Sequence, residues 1–203
     1  MFAENVHRHN IKGTCSNVSA TRARGRRDRG ANVCLAFWRG FCMGKRMIKG
    51  HFYFIKDEFY EALSDCNLMS NKEVTQESMG GRPCHYCIEY NGLYWLIPIS
   101  SKVDKYKRIY DQKVKKRGRC DTLRFGYVNG KERAFLIQNS FPITAQYVDN
   151  EYRIQNGTVA VQISEDLAKE LDSLMRKVIR LYENGITLPL TNITKIIEFL
   201  NIN

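Results

Sequence analysis

Ser100, Ser101 and Lys102 set two hydroxyls and an ammonium side by side, directly ahead of Lys105, Lys107, Arg108, Lys113, Lys115, Lys116, Arg117 and Arg119. Hydroxyls of this kind can donate to the nonbridging oxygens of a phosphodiester, and the cations can stabilise the charge that grows on phosphorus during its cleavage. Tyr106 and Tyr110 interleave with the charges, where aromatic rings can stack on unpaired bases. Serines at a strand end are usually turn formers, and a basic run is usually a solvated face. Density separates the readings. Residues 102–119 hold nine basic and two acidic side chains, +7, while the rest of 47–203 sums to −4. A basic block that concentrated on a mildly acidic background points to nucleic acid.

Other chemistries fit less well. Cys84 and Cys87 have metal-ligand spacing, but residues three apart on a strand point to opposite faces, and there is no second pair, only Cys120 and His85. Core packing is the expectation for both thiols. Asp57-Glu58 and Glu165-Asp166 read as helix-start residues rather than as the carboxylate clusters that hold Mg²⁺ in two-metal nucleases. No metal site and no cofactor site is expected. Cleavage of RNA is available without metal, because the 2′-hydroxyl is a built-in nucleophile that needs only alignment, deprotonation and charge stabilisation. Phosphate-binding glycine loops and nucleophile elbows are absent. His51 and His85, the imidazoles of the region after residue 46, are expected to be structural.

The chain has 203 residues, room for one ordinary domain or two very small ones. At 43% hydrophobic it can bury a core. No stretch approaches the roughly 18 apolar residues of a membrane span. Seven cysteines, an odd and scattered set, suggest reduced thiols in a cytoplasm rather than a secreted disulfide framework. Residues 1–46 carry +8 in a Ser-, Thr-, Arg- and Gly-rich setting with no apolar period. They read as a nucleic-acid-binding arm, as an Arg-rich targeting peptide, or as a disordered extension that is not functional protein. In the last case Met47 is the true start, since Gly44-Lys45-Arg46 suits the purine-rich codons of a translated ribosome-binding site. The domain division is therefore 1–46 and 47–203.

The elements that must position these groups are legible from residue 50 onward. His51–Ile55 reads as an aromatic strand and Asp57 as the cap of a helix reaching about Cys66. Residues 67–81 read as a long polar loop. Cys84–Tyr90 and Leu93–Ile99 flank Asn91-Gly92 as a β-hairpin, and Thr122–Val128 and Arg133–Ile137 flank Asn129-Gly130 as another. Pro98 suggests that the first pair lies at an edge or ends there. Ser164 is placed to cap a helix to about Asn184, with Leu167, Leu171, Leu174, Met175, Val178 and Tyr182 on one face and Gly185 ending it. A last helix spans about Asn192 to Leu200. The sum is an α+β fold with a mainly antiparallel sheet and flanking helices.

From Phe52 to the final helix the chain resembles the protein component of type III toxin–antitoxin systems, the ToxN/AbiQ-like endoribonucleases, and most closely the CptN branch. Four segments carry the resemblance: Phe52–Tyr60, Arg82-Pro83 with the Glu89-Tyr90-Asn91-Gly92 turn, Pro98-Ile99-Ser100-Ser101 with its basic sequel, and Phe141-Pro142-Ile143. The resemblance covers about 150 residues; residues 1–46 match nothing in the family. The resemblance implies a compact, twisted, mainly antiparallel sheet like that of the Kid/MazF toxins. It also implies metal-independent cleavage of RNA to a 2′,3′-cyclic phosphate, and a role in phage defence. The implied partners are RNA substrates and a small, pseudoknot-like repeat antitoxin RNA, which the toxin processes and which inhibits it by binding in a protein–RNA hetero-oligomer. The family's Pro-Leu-Thr-Ser-Pro-Lys pattern falls on Pro98-Ile99-Ser100-Ser101, with Lys102 one position early and no second proline, so Lys102 or Lys105 takes the lysine's place. The basic residue entering the first hairpin falls on Arg82, and the early-helix aromatic on Phe59 or Tyr60.

Together these readings give a sequence-selective, metal-independent endoribonuclease. Ser101, helped by Ser100, would polarise the scissile phosphate, Lys102 would stabilise the transition state or protonate the leaving 5′ oxygen, and Arg82 would hold a phosphate. Lys105, Tyr106, Lys107, Arg108, Lys113, Lys115, Lys116, Arg117 and Arg119 would bind RNA. A noncatalytic RNA-binding module would use the same basic stripe. A DNA-binding regulator is disfavoured, because no helix-turn-helix pattern is present.

Overall fold

The computed structural model describes residues 46–74, 79–186 and 190–202, so the extension expected at 1–46 lies outside them but for Arg46. Two Asn-Gly turns organise the sheet. Asn91 (φ 51°) and Gly92 (φ 74°) both take the left-handed backbone that the tightest hairpin turn requires, as do Asn129 (φ 49°) and Gly130 (φ 70°). They join β4 (Cys84–Tyr90) to β5 (Leu93–Ser100) and β6 (Arg124–Val128) to β7 (Lys131–Phe135).

These strands belong to a seven-stranded antiparallel sheet. With β1 (Phe52–Ile55), β8 (Phe141–Ile143) and β9 (Val148–Glu151) it runs β6-β7-β5-β4-β1-β9, with β8 also on β5. The fold is α+β, as the sequence indicates, and the sheet does not close into a barrel. Strand β5 is not at an edge; of the two outcomes expected from Pro98 the other holds, since the β4–β5 pairing ends at Cys84 opposite Pro98. Its Tyr94–Leu96 stretch pairs with β8, and its Ile99-Ser100 end pairs with β7. Pro98 sits between the two partners. Its carbonyl takes the Leu136 N–H at 3.0 Å, so its missing donor falls where one partner strand gives way to the next.

Both faces of the hairpin are covered, which is why β5 reads as an almost unbroken apolar run. Trp95, Ile97 and Ile99 pack with Leu171, Leu174, Met175 and Val178 of the long helix α3 (Glu165–Glu183). Leu96, Tyr86 and Cys84 pack with Phe59 and Leu63 around α1 (Asp57–Ala62), and with Ile196 and Leu200 of α4 (Ile193–Ile202). Each fully buried aliphatic or aromatic side chain stabilises the fold by about 1.5–3 kcal/mol.

Several local readings change. Lys56, not Asp57, is the residue before α1, and neither it nor Ser164 ahead of α3 makes a side-chain capping bond. The stretch read as a loop at 67–81 contains a small antiparallel pair, β2 (Lys72–Val74) with β3 (Met79–Gly81). A further pair, β10 (Arg153–Ile154) with β11 (Val159–Ala160), lies ahead of α3. Most consequentially, the basic block is a helix, α2 (Val103–Arg117). Tyr106, Ile109, Tyr110 and Val114 turn toward Leu123, Ala134, Leu136 and Phe125 and form a third apolar cluster. Lys115, Lys116 and Arg117 occupy its last turn, where cations suit the negative end of the helix dipole. Gly118 (φ 73°) closes it by donating its N–H to Val114 at 2.7 Å.

Candidate functional site

The strand-to-helix corner at Ser100–Val103 is built from its own backbone. Ser100 lies opposite Ala134 of β7 and is 2% exposed. Its Oγ accepts the Lys102 N–H at 3.2 Å, and the Ser101 carbonyl accepts the Val103 N–H at 2.8 Å. The corner aims the first turn of α2, with its orphan N–H groups and positive dipole end, at Ser101 and Lys102. A helix start of this kind favours an anion. Ser101 is half-buried, and Lys102 and Lys105 are exposed.

Arg82 secures the corner from behind. It is 7% exposed at the entrance to β4. Its Nε donates to the Ser70 carbonyl at 3.0 Å and its Nη1 to the Ile99 carbonyl at 2.6 Å. Its backbone N–H meets the Asn71 carbonyl at 2.5 Å, and Asn71 in turn donates its side-chain amide to Asp57 Oδ1 at 2.7 Å. Arg82 thus ties the segment before β2 to the residue preceding Ser100. Nearby, the Tyr60 hydroxyl stands 4.0 Å from Cys84 Sγ. Burial raises the Tyr60 phenol well above its usual range and pushes the Cys84 thiol up to about 12, so both are neutral. Phe59, the other candidate for the family's aromatic, is fully buried.

The solvent face of α2 carries the cations. Lys105, Arg108, Lys115 and Lys116 are exposed and recur at spacings of three, seven and one, which align them in one stripe along the helix. Arg117 and Arg119 are exposed at its end. Lys107 is exposed but paired, its ammonium 2.8 Å from Glu132 Oε2.

Four expected roles change in this geometry. Ser100 does not share the surface with Ser101, because it continues the strand face of Leu96 and Pro98 into the interior. Arg82 is committed to two carbonyls inside the protein, which makes it a clamp for the corner. Tyr106 is buried in the third apolar cluster, and Tyr110 packs edge-on against Phe125 with centroids 5.7 Å apart, so neither ring is presented as a stacking platform. Lys113 donates to Thr122 Oγ1 at 2.8 Å and to Gln138 Oε1 at 2.7 Å, and burial lowers its ammonium's pKa. Ser70, Asn71 and Gln138 join the network without any sequence signal, since single polar residues outside a periodic pattern do not announce a tertiary partner.

The remaining candidates are structural. Cys84 and Cys87 belong to different apolar clusters on opposite faces, and burial pushes the Cys87 thiol, too, up to about 12. His85 packs against Phe52 at 5.1 Å, and burial drives its imidazole down to about 3, so it is neutral. The His51 Nδ1 donates to Glu151, and its Nε2 lies 2.8 Å from Gln162 Nε2. Among the described residues no three His, Cys, Asp or Glu side chains converge as metal ligands, and no helix is long and apolar enough to cross a membrane.

No family model matches the chain, and no curated protein matches its sequence. Among solved structures it is similar to one described as "A processed non-coding RNA regulates a bacterial antiviral system". The likeness covers 74% of this chain and 97% of that one, at 13% identity and a TM-score of 0.49.

Proposed function

We propose that the chain is the toxin of a type III toxin–antitoxin system, an endoribonuclease that cleaves RNA without metal and is restrained by a small repeat RNA. The observation that carries this reading is the corner itself. A half-buried serine, Ser101, and an exposed ammonium, Lys102, stand at the positive end of a helix whose outer face is a stripe of cations. The sequence resemblance of residues 52–202 supports it independently.

In this reading the scissile phosphate lies at the start of α2. Ser101 and the first-turn N–H groups beyond Val103 donate to its nonbridging oxygens, where negative charge grows as the 2′-oxygen attacks phosphorus. The 2′-hydroxyl gives its proton to water, the bond to the 5′ oxygen breaks, and that oxygen takes a proton from Lys102 or from water, leaving a 2′,3′-cyclic phosphate and a 5′-hydroxyl. Lys102 or Lys105 supplies the cation at the pentacoordinate stage. Ser100 and Arg82 act as positioning residues, the first through the Lys102 N–H and the second through the Ile99 carbonyl. The α2 stripe binds RNA, antitoxin and substrate alike.

The test is incubation of the purified protein with cellular RNA in EDTA, with analysis of the new ends. Fragments ending in 2′,3′-cyclic phosphate are expected. Binding without cleavage under any condition would favour the noncatalytic RNA-binding module, for which the stripe alone suffices.

A further inference from the structure

A cleft of about 380 Å³ opens between the C-terminal half of α3 and the segment that joins α2 to β6. Its volume is within the range of about 300–1,000 Å³ typical of small-molecule sites. Ile137, Leu174, Val178 and Leu181 give it an apolar wall. Arg119, Lys177 and Arg180 stand around it with one carboxylate, Asp121, which lies 3.7 Å from Arg119 and 3.4 Å from Lys177. The cations therefore outnumber the acid.

Two amides on the lining have defined roles. Gln138 Oε1 accepts from Lys113 at 2.7 Å, so the group Gln138 has to offer a ligand is its NH₂. Asn184 Nδ2 donates to the Arg180 carbonyl at 2.8 Å, so Asn184 offers its oxygen. A donor and an acceptor on an apolar wall, ringed by positive charge, match a flat heterocycle carrying a phosphate. The position adds a second argument. Arg119 stands just past the C-terminal end of α2, about 22 Å along the helix from Ser101 for its 15 residues. The stripe of Lys105, Arg108, Lys115 and Lys116 runs between the two places.

We propose that this cleft receives an unpaired base of a bound RNA strand, with the flanking phosphates on Arg119, Lys177 and Arg180, so that the strand is anchored one helix length from the corner at Ser101. The inference rests on the reading of the chain as an RNA-binding protein and adds to it a site selective for single-stranded RNA. Duplex RNA keeps its bases stacked and cannot fill the cleft, whereas single strands are recognised through bases splayed onto protein surfaces.

The test compares short single-stranded 2′-O-methyl oligonucleotides, which cannot be cleaved, with duplexes of the same length. Leu181 is 39% exposed, so Leu181→Glu places a carboxylate in the cleft at a solvent-facing position, and circular dichroism verifies the fold. The variant is expected to bind the single strand about tenfold more weakly, the worth of one base contact, and the duplex within about twofold of wild type. Equal losses for both, or no loss for either, overturn the proposal while leaving RNA binding intact. Failure of the wild type to bind either oligonucleotide overturns the proposed function along with it.

Discussion

Arg82 Nη1 donates to the carbonyl of Ile99 at 2.6 Å, across 17 residues of sequence, and so holds the last residue before Ser100 and Ser101 in place. The same guanidinium reaches the Ser70 carbonyl through Nε. The site is buried, so truncating Arg82 strips both carbonyls of a donor that water does not readily replace.

Arg82→Met is expected to lower the stability of the protein by roughly 2–4 kcal/mol, since it removes two charge-assisted bonds and leaves their acceptors unpaired. Arg82→Lys restores one bond and recovers part of the loss. Urea unfolding measures both. In the folded fraction, cleavage should fall more than RNA affinity, because the corner shifts while the α2 stripe is untouched. A stable Arg82→Met with unchanged cleavage would show that the clamp is dispensable.

His85 gives the fold a defined acid response. Its imidazole is held at about 3 by burial, against 6.5 when solvated. Below 6.5 the unfolded chain gains a proton that the folded chain refuses, so stability falls as pH falls through the window from 6.5 to about 3. The expected loss between pH 6.5 and 5 is about 2 kcal/mol from this group. His85→Phe, a substitution compatible with its neighbours Phe52 and Phe135, should flatten the slope over that interval. Denaturant midpoints of the two proteins at a series of pH values provide the check, and parallel curves would assign the slope elsewhere.

The cations of α2 divide into two groups with different consequences. Replacing Lys105, Arg108, Lys115 or Lys116 by Gln is expected to leave stability unchanged and to reduce the slope of log K against log salt for single-stranded RNA by about 0.7 per residue. Lys113 is the contrast. Lys113→Met frees Thr122 and Gln138 from a half-buried ammonium, and it should alter thermal stability while leaving the salt slope as it was. Filter binding across a salt series separates them, and a uniform response of all five positions would contradict the division.

How far the sequence reaches can be judged at particular residues. The β4–β5 and β6–β7 hairpins are legible because Asn-Gly is a local signal, sufficient without tertiary context. The apolar face of α3 is legible because its buried positions, Leu171, Leu174, Met175, Val178 and Ile179, repeat at helical spacing. Helix α2 is harder, since its inward positions, Tyr106, Ile109, Tyr110 and Val114, are few and embedded in charge. Without the helix, Tyr106 and Tyr110 look like free rings and Lys113 like a free cation. The corner lies where the sequence places it, at the end of the first hairpin. The burial of Ser100 is not legible from strand alternation, because both faces of β5 are covered. Nor is the commitment of Arg82 legible, because its partners on Ser70 and Ile99 are backbone carbonyls that any residue types could offer.

Ser101 is where the account is most exposed. The decisive measurement is single-turnover cleavage of a labelled RNA in EDTA by wild type, Ser100→Ala and Ser101→Ala, with affinity determined in parallel. Ser101→Ala is expected to lose about a hundredfold or more in rate, the usual cost of one transition-state donor, while binding RNA as wild type does. Ser100→Ala is expected to lose less, since its hydroxyl acts only through the Lys102 N–H. A Ser101→Ala protein that cleaves at the wild-type rate would contradict the account.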